Sequence, residues 1–279
     1  MPVESGTPGL LNLTEQELTE LRRGLDERQF KLVDAREQGE YLEAHIPGAE
    51  LLPLSAVEAG EVQLTPAEHT IFYCRSGNRS MRAATALVQR GALDAAQAYN
   101  LVGGINAFDG LTLPELPRLK VFPVGGQIDE VLLRAMELEK GASLFYAELS
   151  RHFVGTPQAQ TVQKLARAEV SHASLLHQML KAGGSEPFEP FFERLDGQLL
   201  ESGESMSAVA SRIAGWEVQR EAALLELALE MEFSAYDLYR AMAATSGPQL
   251  EQTFLELAAQ EQVHARALLG ELSQLTGRA

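Results

Sequence analysis

The sequence predicts an α/β domain with a largely parallel sheet flanked by helices, followed by an all-α four-helix bundle. In residues 1–112, short apolar runs alternate with helical stretches and with glycine and proline turns. Strands that alternate with helices are typical of a parallel sheet. Residues 113–127 are rich in proline and glycine and predict a linker. Residues 128–279 show long apolar patterns of helical period, which predict the bundle.

The α/β prediction depends on three strands and two helices. The apolar runs that predict strands cover residues 32–34, 70–73 and 98–102. A helix is predicted over 14–25, because Thr14 can cap its first turn and Glu17 stands at the matching capping-box position. A second helix is predicted over 80–90 and ends at Gly91.

The all-α domain is predicted from four helical stretches and one long connection. The helices are expected at 128–152, 157–182, 219–244 and 248–275. The connection between the second and third helices covers about 183–218 and includes a short predicted helix at 207–216. A bundle with one long crossover has the ferritin-like arrangement rather than the simple up-and-down one.

Composition excludes several classes of protein. The chain has 39 acidic and 23 basic residues, so the phosphate backbone of a nucleic acid would be repelled. Cys74 is the single cysteine, which excludes an internal disulfide and an in-chain rubredoxin-type site built from four thiolates. No apolar run approaches the roughly 20 residues of a membrane helix, and residues 1–10 lack the pattern of a signal peptide. We therefore expect a cytoplasmic protein without nucleic-acid or membrane partners.

The second domain repeats a helix pair. In its first and third helices a glutamate precedes a tyrosine by seven residues, and in its second and fourth helices a glutamate precedes a histidine by three. The two glutamates of a pair are 30 residues apart in one copy and 29 in the other, which indicates an internal duplication. The residues are Glu139, Tyr146, Glu169 and His172 in the first copy, and Glu232, Tyr239, Glu261 and His264 in the second.

The four glutamates of this repeat lie on apolar helix faces. Glu232, for example, shares its face with Leu225, Leu229 and Tyr236. Four carboxylates buried together would be very costly unless cations neutralised them, and two divalent ions would supply four positive charges. A single Glu-x-x-His motif usually marks a solvated helix face. Two such motifs in register with two further glutamates predict a di-metal site, with imidazoles completing the coordination.

Residues 127–275 resemble the rubrerythrin branch of the ferritin-like superfamily. The resemblance rests on the six predicted ligands, with Tyr146 and Tyr239 near the metals. It implies two iron ions and redox reaction with peroxide or oxygen, with manganese as an alternative for this ligand set. It also implies a homodimer. The chain departs from the family because it has no rubredoxin module and because Leu229 and Ala235, one turn either side of Glu232, offer no additional carboxylate.

Cys74 stands where a predicted strand ends and a helix begins. Backbone N–H groups in such a turn, together with the helix N-terminus, stabilise an anion. Two arginines nearby are expected to favour the thiolate further, which predicts a nucleophilic cysteine and an anion cradle. An isolated cysteine is more often an inert core residue, but the polar run that follows this one favours reactivity. The predicted cradle consists of Arg75, Ser76, Gly77, Asn78, Arg79 and Ser80.

Residues 10–111 resemble the single-domain rhodaneses. Besides 74–80, the resemblance rests on the segments 32–36, 40–41, 45–49 and 101–105. It implies transfer of sulfane sulfur, held as a Cys74 persulfide, from a donor such as thiosulfate or a persulfide to a thiol or cyanide. It also implies that Asp34, Arg36 and His45 support the fold and the loop rather than react.

A cysteine phosphatase is the rival interpretation of the same loop. Those enzymes close a thiolate loop with arginine at Cys-x5-Arg spacing. Here the interval from Cys74 to Arg79 is Cys-x4-Arg, and Ser80 occupies the position of the phosphatase arginine. The shorter loop predicts a cradle for a sulfur atom rather than for a phosphate.

Two hypotheses for the whole chain follow. The leading one is a sulfurtransferase coupled to a di-iron redox module, whose electron donor the sequence does not name. The alternative is a sulfur- or redox-sensing protein whose bundle is a metal-binding or dimerisation scaffold without turnover. Metal-dependent consumption of peroxide would separate the two.

Overall fold

The computed structural model divides the chain into two compact units, Met1–Leu116 and Pro117–Ala279. Each unit buries its own set of apolar side chains. Among the residues described here, no helix is both long and apolar enough to cross a lipid bilayer. The described residues are 10–62, 64–123, 127–180, 186–214 and 220–276.

The first unit is a five-stranded sheet with helices, and all its strand pairs are parallel. The strand order is β1-β5-β4-β2-β3, which places β4 in the middle of the sheet. The strands are β1 (Leu11–Leu13), β2 (Phe30–Asp34), β3 (Ala49–Leu51), β4 (His69–Tyr73) and β5 (Ala98–Leu101). The helices are α1 (Glu15–Gly24), α2 (Gln38–Glu43), α3 (Leu54–Ala59) and α4 (Asn78–Gln89), with 3₁₀ turns at Ala95–Gln97 and Gly104–Ala107.

Both faces of this sheet are buried, as a parallel sheet requires. Side chains alternate along each strand, so Val33 and Phe72 pack on one face while Leu32 and Ile71 pack on the other. All four side chains are completely buried. The α/β prediction is therefore confirmed.

The predicted start of the first helix is confirmed in detail. The Glu17 N–H donates to the Thr14 hydroxyl at 3.3 Å, and the Thr14 N–H donates back to the Glu17 carboxylate at 2.8 Å. Strands β1 and β3 were not predicted, because each has three residues and is too short to show a period.

The second unit is helical, and its long helices pack as two pairs, α5 with α6 and α9 with α10. Its core includes Leu132, Tyr236 and Phe254. The prediction of an all-α bundle is confirmed. The helices are α5 (Ile128–His152), α6 (Ala159–Met179), α7 (Phe188–Glu193), α8 (Met206–Ala214), α9 (Arg220–Thr245) and α10 (Pro248–Thr276), preceded by a 3₁₀ turn at Leu119–Val121.

Some predicted boundaries in this unit differ from the structure. Helix α6 begins at Ala159 rather than Pro157, because a turn closed by the Ala159 N–H on the Thr156 carbonyl at 3.3 Å precedes it. It ends at Met179, because Leu180 is extended. Three predicted boundaries lie outside the described residues. They are the end of the second long helix at 181–182, the start of the third long helix at 219 and the end of the short helix at 215–216.

The segment predicted as a linker contains residues that pack within each unit. Leu113 exchanges two backbone hydrogen bonds with His45, at 2.8 and 2.9 Å, and is buried in the first unit. Phe122 belongs to the core of the second unit. Residues 124–126 of the predicted linker are not described.

Candidate functional site

Cys74 directly follows the central strand β4, and the loop after it leads into α4. Its side chain is 1% exposed. The Gly77 N–H donates to Cys74 Sγ at 3.1 Å, and the Ser80 hydroxyl donates to the same sulfur at 3.4 Å. Gly77 has φ 95°, a conformation that glycine adopts without strain and that turns its N–H toward the sulfur.

These donors favour the thiolate. Burial opposes the charged form, but hydrogen bonds from the Ser80 hydroxyl and from the backbone N–H groups of Ser80, Ser76 and Gly77 outweigh it. They hold the pKa of the Cys74 thiol below its ordinary value. The donors that favour the thiolate are therefore neutral groups that touch the sulfur.

The two arginines of the loop were predicted to lie near the sulfur, and neither of them is a hydrogen-bond donor to it among the described contacts. Arg75 is exposed, as are Ser76 and Asn78. Arg79 instead forms a bidentate ion pair with Glu40, at 2.6 and 2.7 Å. This pair raises the pKa of the Arg79 guanidinium and lowers that of Glu40. Arg79 therefore interacts with the Cys74 thiolate only electrostatically, while its guanidinium is paired with Glu40.

The loop rests on the turn that follows β5. The Ile105 N–H donates to the Cys74 carbonyl at 2.8 Å, and the Asn106 N–H donates to the Arg75 carbonyl at 3.2 Å. Gly104 makes this contact sterically feasible, since a Cβ atom there would lie 2.2 Å from the Cys74 carbonyl oxygen. This close approach explains the second glycine of the segment 101–105.

Replacing Gly104 is expected to disturb the sulfur loop. Gly104→Ala should lower the free energy of unfolding by about 3 kcal/mol, because a backbone clash is added to an unfavourable positive φ. Thermal or urea unfolding measures this effect. Gly60→Ala is the matched control, since Gly60 also has positive φ but nothing lies within 4 Å of its Cβ position. Equal destabilisation in both variants would contradict the proposed packing.

Asp34, Arg36 and His45 are buried supports of the loop. Arg36 forms a bidentate ion pair with Asp34 and donates to the Ala44 carbonyl at 2.6 Å. His45 is completely buried, with its ring stacked on Tyr41 at 3.9 Å between centroids. Arg36 also lies over the ring of Tyr73, the residue before Cys74. This arrangement agrees with the supporting roles that the resemblance implied.

In the helical unit, the structure brings all six predicted metal ligands together in the interior. They form two groups of four residues, and the ligand atoms within each group lie within 4.8 Å of one another. Glu169 and Glu261 belong to both groups, so each of them would contribute to both metal positions. The first group is completed by Glu139 and His172, and the second by Glu232 and His264.

The two groups have matching geometry. His172 Nδ1 lies 3.2 Å from the carboxylates of both Glu139 and Glu169 and 3.3 Å from that of Glu261. His264 Nδ1 lies 3.4 Å from Glu169, 3.2 Å from Glu232 and 3.1 Å from Glu261. One ring nitrogen cannot satisfy three carboxylates, whereas a cation beside it can.

The buried carboxylates fit a pair of divalent ions. The four predicted glutamate ligands are each at most 3% exposed, namely Glu139, Glu169, Glu232 and Glu261. Burial raises the pKa of Glu139 to about 8, and it raises that of Glu232 as well. Glu169 Oε1 is buried and accepts no hydrogen bond, which leaves a donor atom for a metal. Carboxylate and imidazole donors suit iron and manganese.

Each of the two predicted tyrosines forms a hydrogen bond with the other copy of the repeat. The Tyr146 hydroxyl donates to Glu232, and the Tyr239 hydroxyl donates to Glu139. Each tyrosine therefore contacts the unshared glutamate of the other copy. Both are fully buried, and burial raises the pKa of each well above its ordinary value. They are placed to hold a proton beside the cluster.

Known proteins resemble the two units separately. The family model "Rhodanese-like domain" matches residues 17–110, and the family model "Rubrerythrin" matches residues 223–278. A protein of Allochromatium vinosum named sulfurtransferase is 33% identical over 93 residues, which are 33% of this chain and 84% of that protein. The uncharacterized protein YqhL of Bacillus subtilis is 35% identical over 98 residues, which are 35% of this chain and 71% of that protein.

The chain belongs to the rhodanese-like family. It joins this rhodanese-like domain to a rubrerythrin domain. The family match to rubrerythrin covers Glu232, Glu261 and His264 on α9 and α10. The candidate ligands on α5 and α6 rest on the internal repeat and on the geometry.

Other likenesses of the rhodanese-like domain are partial. The probable adenylyltransferase/sulfurtransferase MoeZ of Mycobacterium tuberculosis is 37% identical over 100 residues, and this chain spans only 25% of its length. A rhodanese-like domain protein of Staphylococcus aureus is 24% identical, with a TM-score of 0.32, and the likeness covers 37% of this chain and 97% of that one.

Sequence reasoning missed a buried carboxylate beside the predicted metal ligands of the rubrerythrin domain. Glu201 lies in the connection between α7 and α8 and is 3% exposed. It lines a cavity of about 10 Å³ together with Tyr146, Glu169, Glu232 and Glu261. Because Glu201 belongs to no long helix, no periodic pattern could have placed it on a buried face. Glu226 and Glu230, expected on the solvated face of α9, are exposed.

Proposed function

We propose that this protein is a sulfurtransferase whose Cys74 holds sulfane sulfur as a persulfide, and whose rubrerythrin domain binds two iron ions for redox chemistry with peroxide or oxygen. The observation that supports the first part is the Cys74 sulfur under the Gly77 N–H and the Ser80 hydroxyl. The same donors that favour a thiolate also favour a persulfide anion.

The sulfur transfer has two steps. The Cys74 thiolate attacks the outer sulfur of thiosulfate, the S–S bond of the donor breaks, and sulfite leaves with the bonding pair. A Cys74 persulfide results. In the second step, cyanide or a thiolate attacks the outer sulfur of the persulfide, and the Cys74 thiolate leaves. Neither step needs an external oxidant or reductant, and the loop donors stabilise the sulfur anion at the start and the end.

The pH dependence of this reaction tests the assignment. Ser80→Ala removes one hydrogen bond to the thiolate, so the pKa of Cys74 should rise by about one unit. The acid limb of the rate should move to higher pH by the same amount, and the rates of the two proteins should converge once both thiols are ionised. Thiocyanate formation from thiosulfate and cyanide measures the rate.

Ser76→Ala is the matched control for this experiment. The Ser76 side chain is exposed, and its residue contributes to the thiolate through the backbone N–H, which the substitution keeps. Its pH profile should match that of the wild type. An unchanged profile in Ser80→Ala, or a wild-type protein that forms no thiocyanate, would contradict the proposal.

The metal part rests on the fit between the buried donors and two cations. Glu139 and His172 would hold one ion, Glu232 and His264 the other, and Glu169 and Glu261 would bridge them. A bound pair of iron ions supplies one-electron steps to peroxide or oxygen. Tyr146 and Tyr239 orient the carboxylates of Glu232 and Glu139, and the packed helices exclude water from the cluster. Metal analysis of the purified protein, as ions per chain, tests this part.

The sulfur partners are proposed as thiosulfate or a low-molecular-weight persulfide on the donor side and a thiol or cyanide on the acceptor side. The cradle supports small donors, because Cys74 lies in a short loop whose backbone N–H groups stabilise an anion of sulfur size. A homodimer and a separate electron donor remain predictions from the family resemblance.

A further inference from the structure

A short hairpin in the connection between α7 and α8 places a carboxylate beside the predicted metal ligands. This crossover hairpin, residues 198–206, is closed by the Met206 N–H donating to the Gln198 carbonyl at 2.9 Å and by a bridge between Leu199 and Ser205. At its tip the Gly203 N–H donates to the Leu200 carbonyl at 2.8 Å. Glu201 is therefore the first central residue of the turn.

Two glycines allow the crossover hairpin to pack directly against α5. A Cβ atom at Gly141 would lie 2.3 Å from the Leu199 carbonyl oxygen, and one at Gly197 would lie 2.6 Å from Cγ of Lys140. The two backbones therefore approach as closely as glycine permits. Gly141 is two residues from Glu139, so the hairpin is fixed at the level of the cluster.

The Glu201 side chain faces the cluster from inside the domain. It lines the same small cavity as Tyr146, Glu169, Glu232 and Glu261, although it lies outside the two tight groups of ligand atoms. Among the described residues, no basic side chain forms an ion pair with its carboxylate. A carboxylate that is 3% exposed without a cationic partner is costly, and a metal ion would relieve that cost.

The helices leave space for this carboxylate. One turn after Glu139 and Glu232, the repeat has alanine in both copies, and Ala142 and Ala235 form part of the cavity wall. The repeat therefore supplies no further ligand of its own at these positions.

We propose that Glu201 is a seventh ligand of the metal centre, supplied by the crossover hairpin. This inference rests on the proposed metal-binding function and makes the two halves of the duplicated site unequal. Two divalent ions already balance the four helical glutamates. A fifth carboxylate therefore strengthens binding at one ion and changes its coordination number.

Cobalt binding tests the inference. Purified full-length protein, stripped of metal, is titrated with Co²⁺ against a chelator, and the visible absorption of Co²⁺ reports its coordination. The wild type should bind two ions per chain. Glu201→Gln should still bind two, but one dissociation constant should rise at least about tenfold and the absorption of that ion should change. Glu204→Gln, in the same hairpin and half-exposed, should match the wild type.

The outcomes separate this inference from the function on which it rests. Wild-type protein that binds no Co²⁺ would overturn both. Two ions in Glu201→Gln with wild-type affinities and absorption would overturn the role of Glu201 alone. If Glu201→Gln does not fold, anomalous diffraction from Co²⁺-loaded wild-type crystals tests whether Glu201 binds the metal. A Glu201 oxygen at about 2.2 Å from one cobalt supports the inference, and one beyond about 3 Å from both overturns it.

Discussion

Cys74→Ala is expected to reduce thiocyanate formation from thiosulfate and cyanide to the uncatalysed background, a loss of at least about a thousandfold. The reason is chemical, since Cys74 is the only thiol in the chain and no other side chain can hold a persulfide. Mass spectrometry after incubation with thiosulfate should show one added sulfur atom on the wild type and none on the variant. Cyanide should remove that sulfur from the wild type.

Two controls make this result interpretable. Cys74→Ser is nearly isosteric, so it should fold like the wild type and yet be as inactive as Cys74→Ala. The metal content of both variants should equal that of the wild type, because the ligands lie in the other compact unit. Equal thiocyanate rates in the wild type and in Cys74→Ala would refute the sulfurtransferase assignment.

The sequence was most informative where the function depends on local spacing. The run from Cys74 to Ser80 specifies a strand, a tight turn and a helix start within a few residues, so the cradle could be predicted from it. The predicted metal ligands lie far apart in the chain, but helical period and an internal repeat placed each of them on a buried face.

Contacts that depend on tertiary packing could not be predicted. The pairing of Arg79 with Glu40 joins residues on α4 and α2, and nothing in the local sequence indicates it. Glu201 lies in a turn, where side-chain direction follows no period. Its burial depends on the close approach of Gly141 and Leu199, which only the folded backbone shows.

Glu232→Gln is expected to lower metal binding from two ions per chain to one. Glu232 belongs to only one of the two ligand groups, whereas Glu169 and Glu261 are shared. The amide keeps the shape of the side chain but removes its charge. Each tightly bound ion, at a free concentration about a thousandfold above its dissociation constant, stabilises the fold by about 4 kcal/mol. Glu232→Gln should therefore lose roughly half of the increase in Tm that metal gives the wild type.

The decisive comparison is between metal-loaded and chelator-treated protein. In chelator, Glu232→Gln should be as stable as the wild type, because the substitution removes a carboxylate that burial disfavours in its charged form. Glu226→Gln, an exposed glutamate on the same helix, should leave both the ion count and both Tm values unchanged. If Glu232→Gln lost stability equally with and without metal, the glutamate would be a packing residue. Since four buried carboxylates in one bundle have no packing reason to face one another, a stability loss confined to the metal-loaded state is the result that the geometry requires.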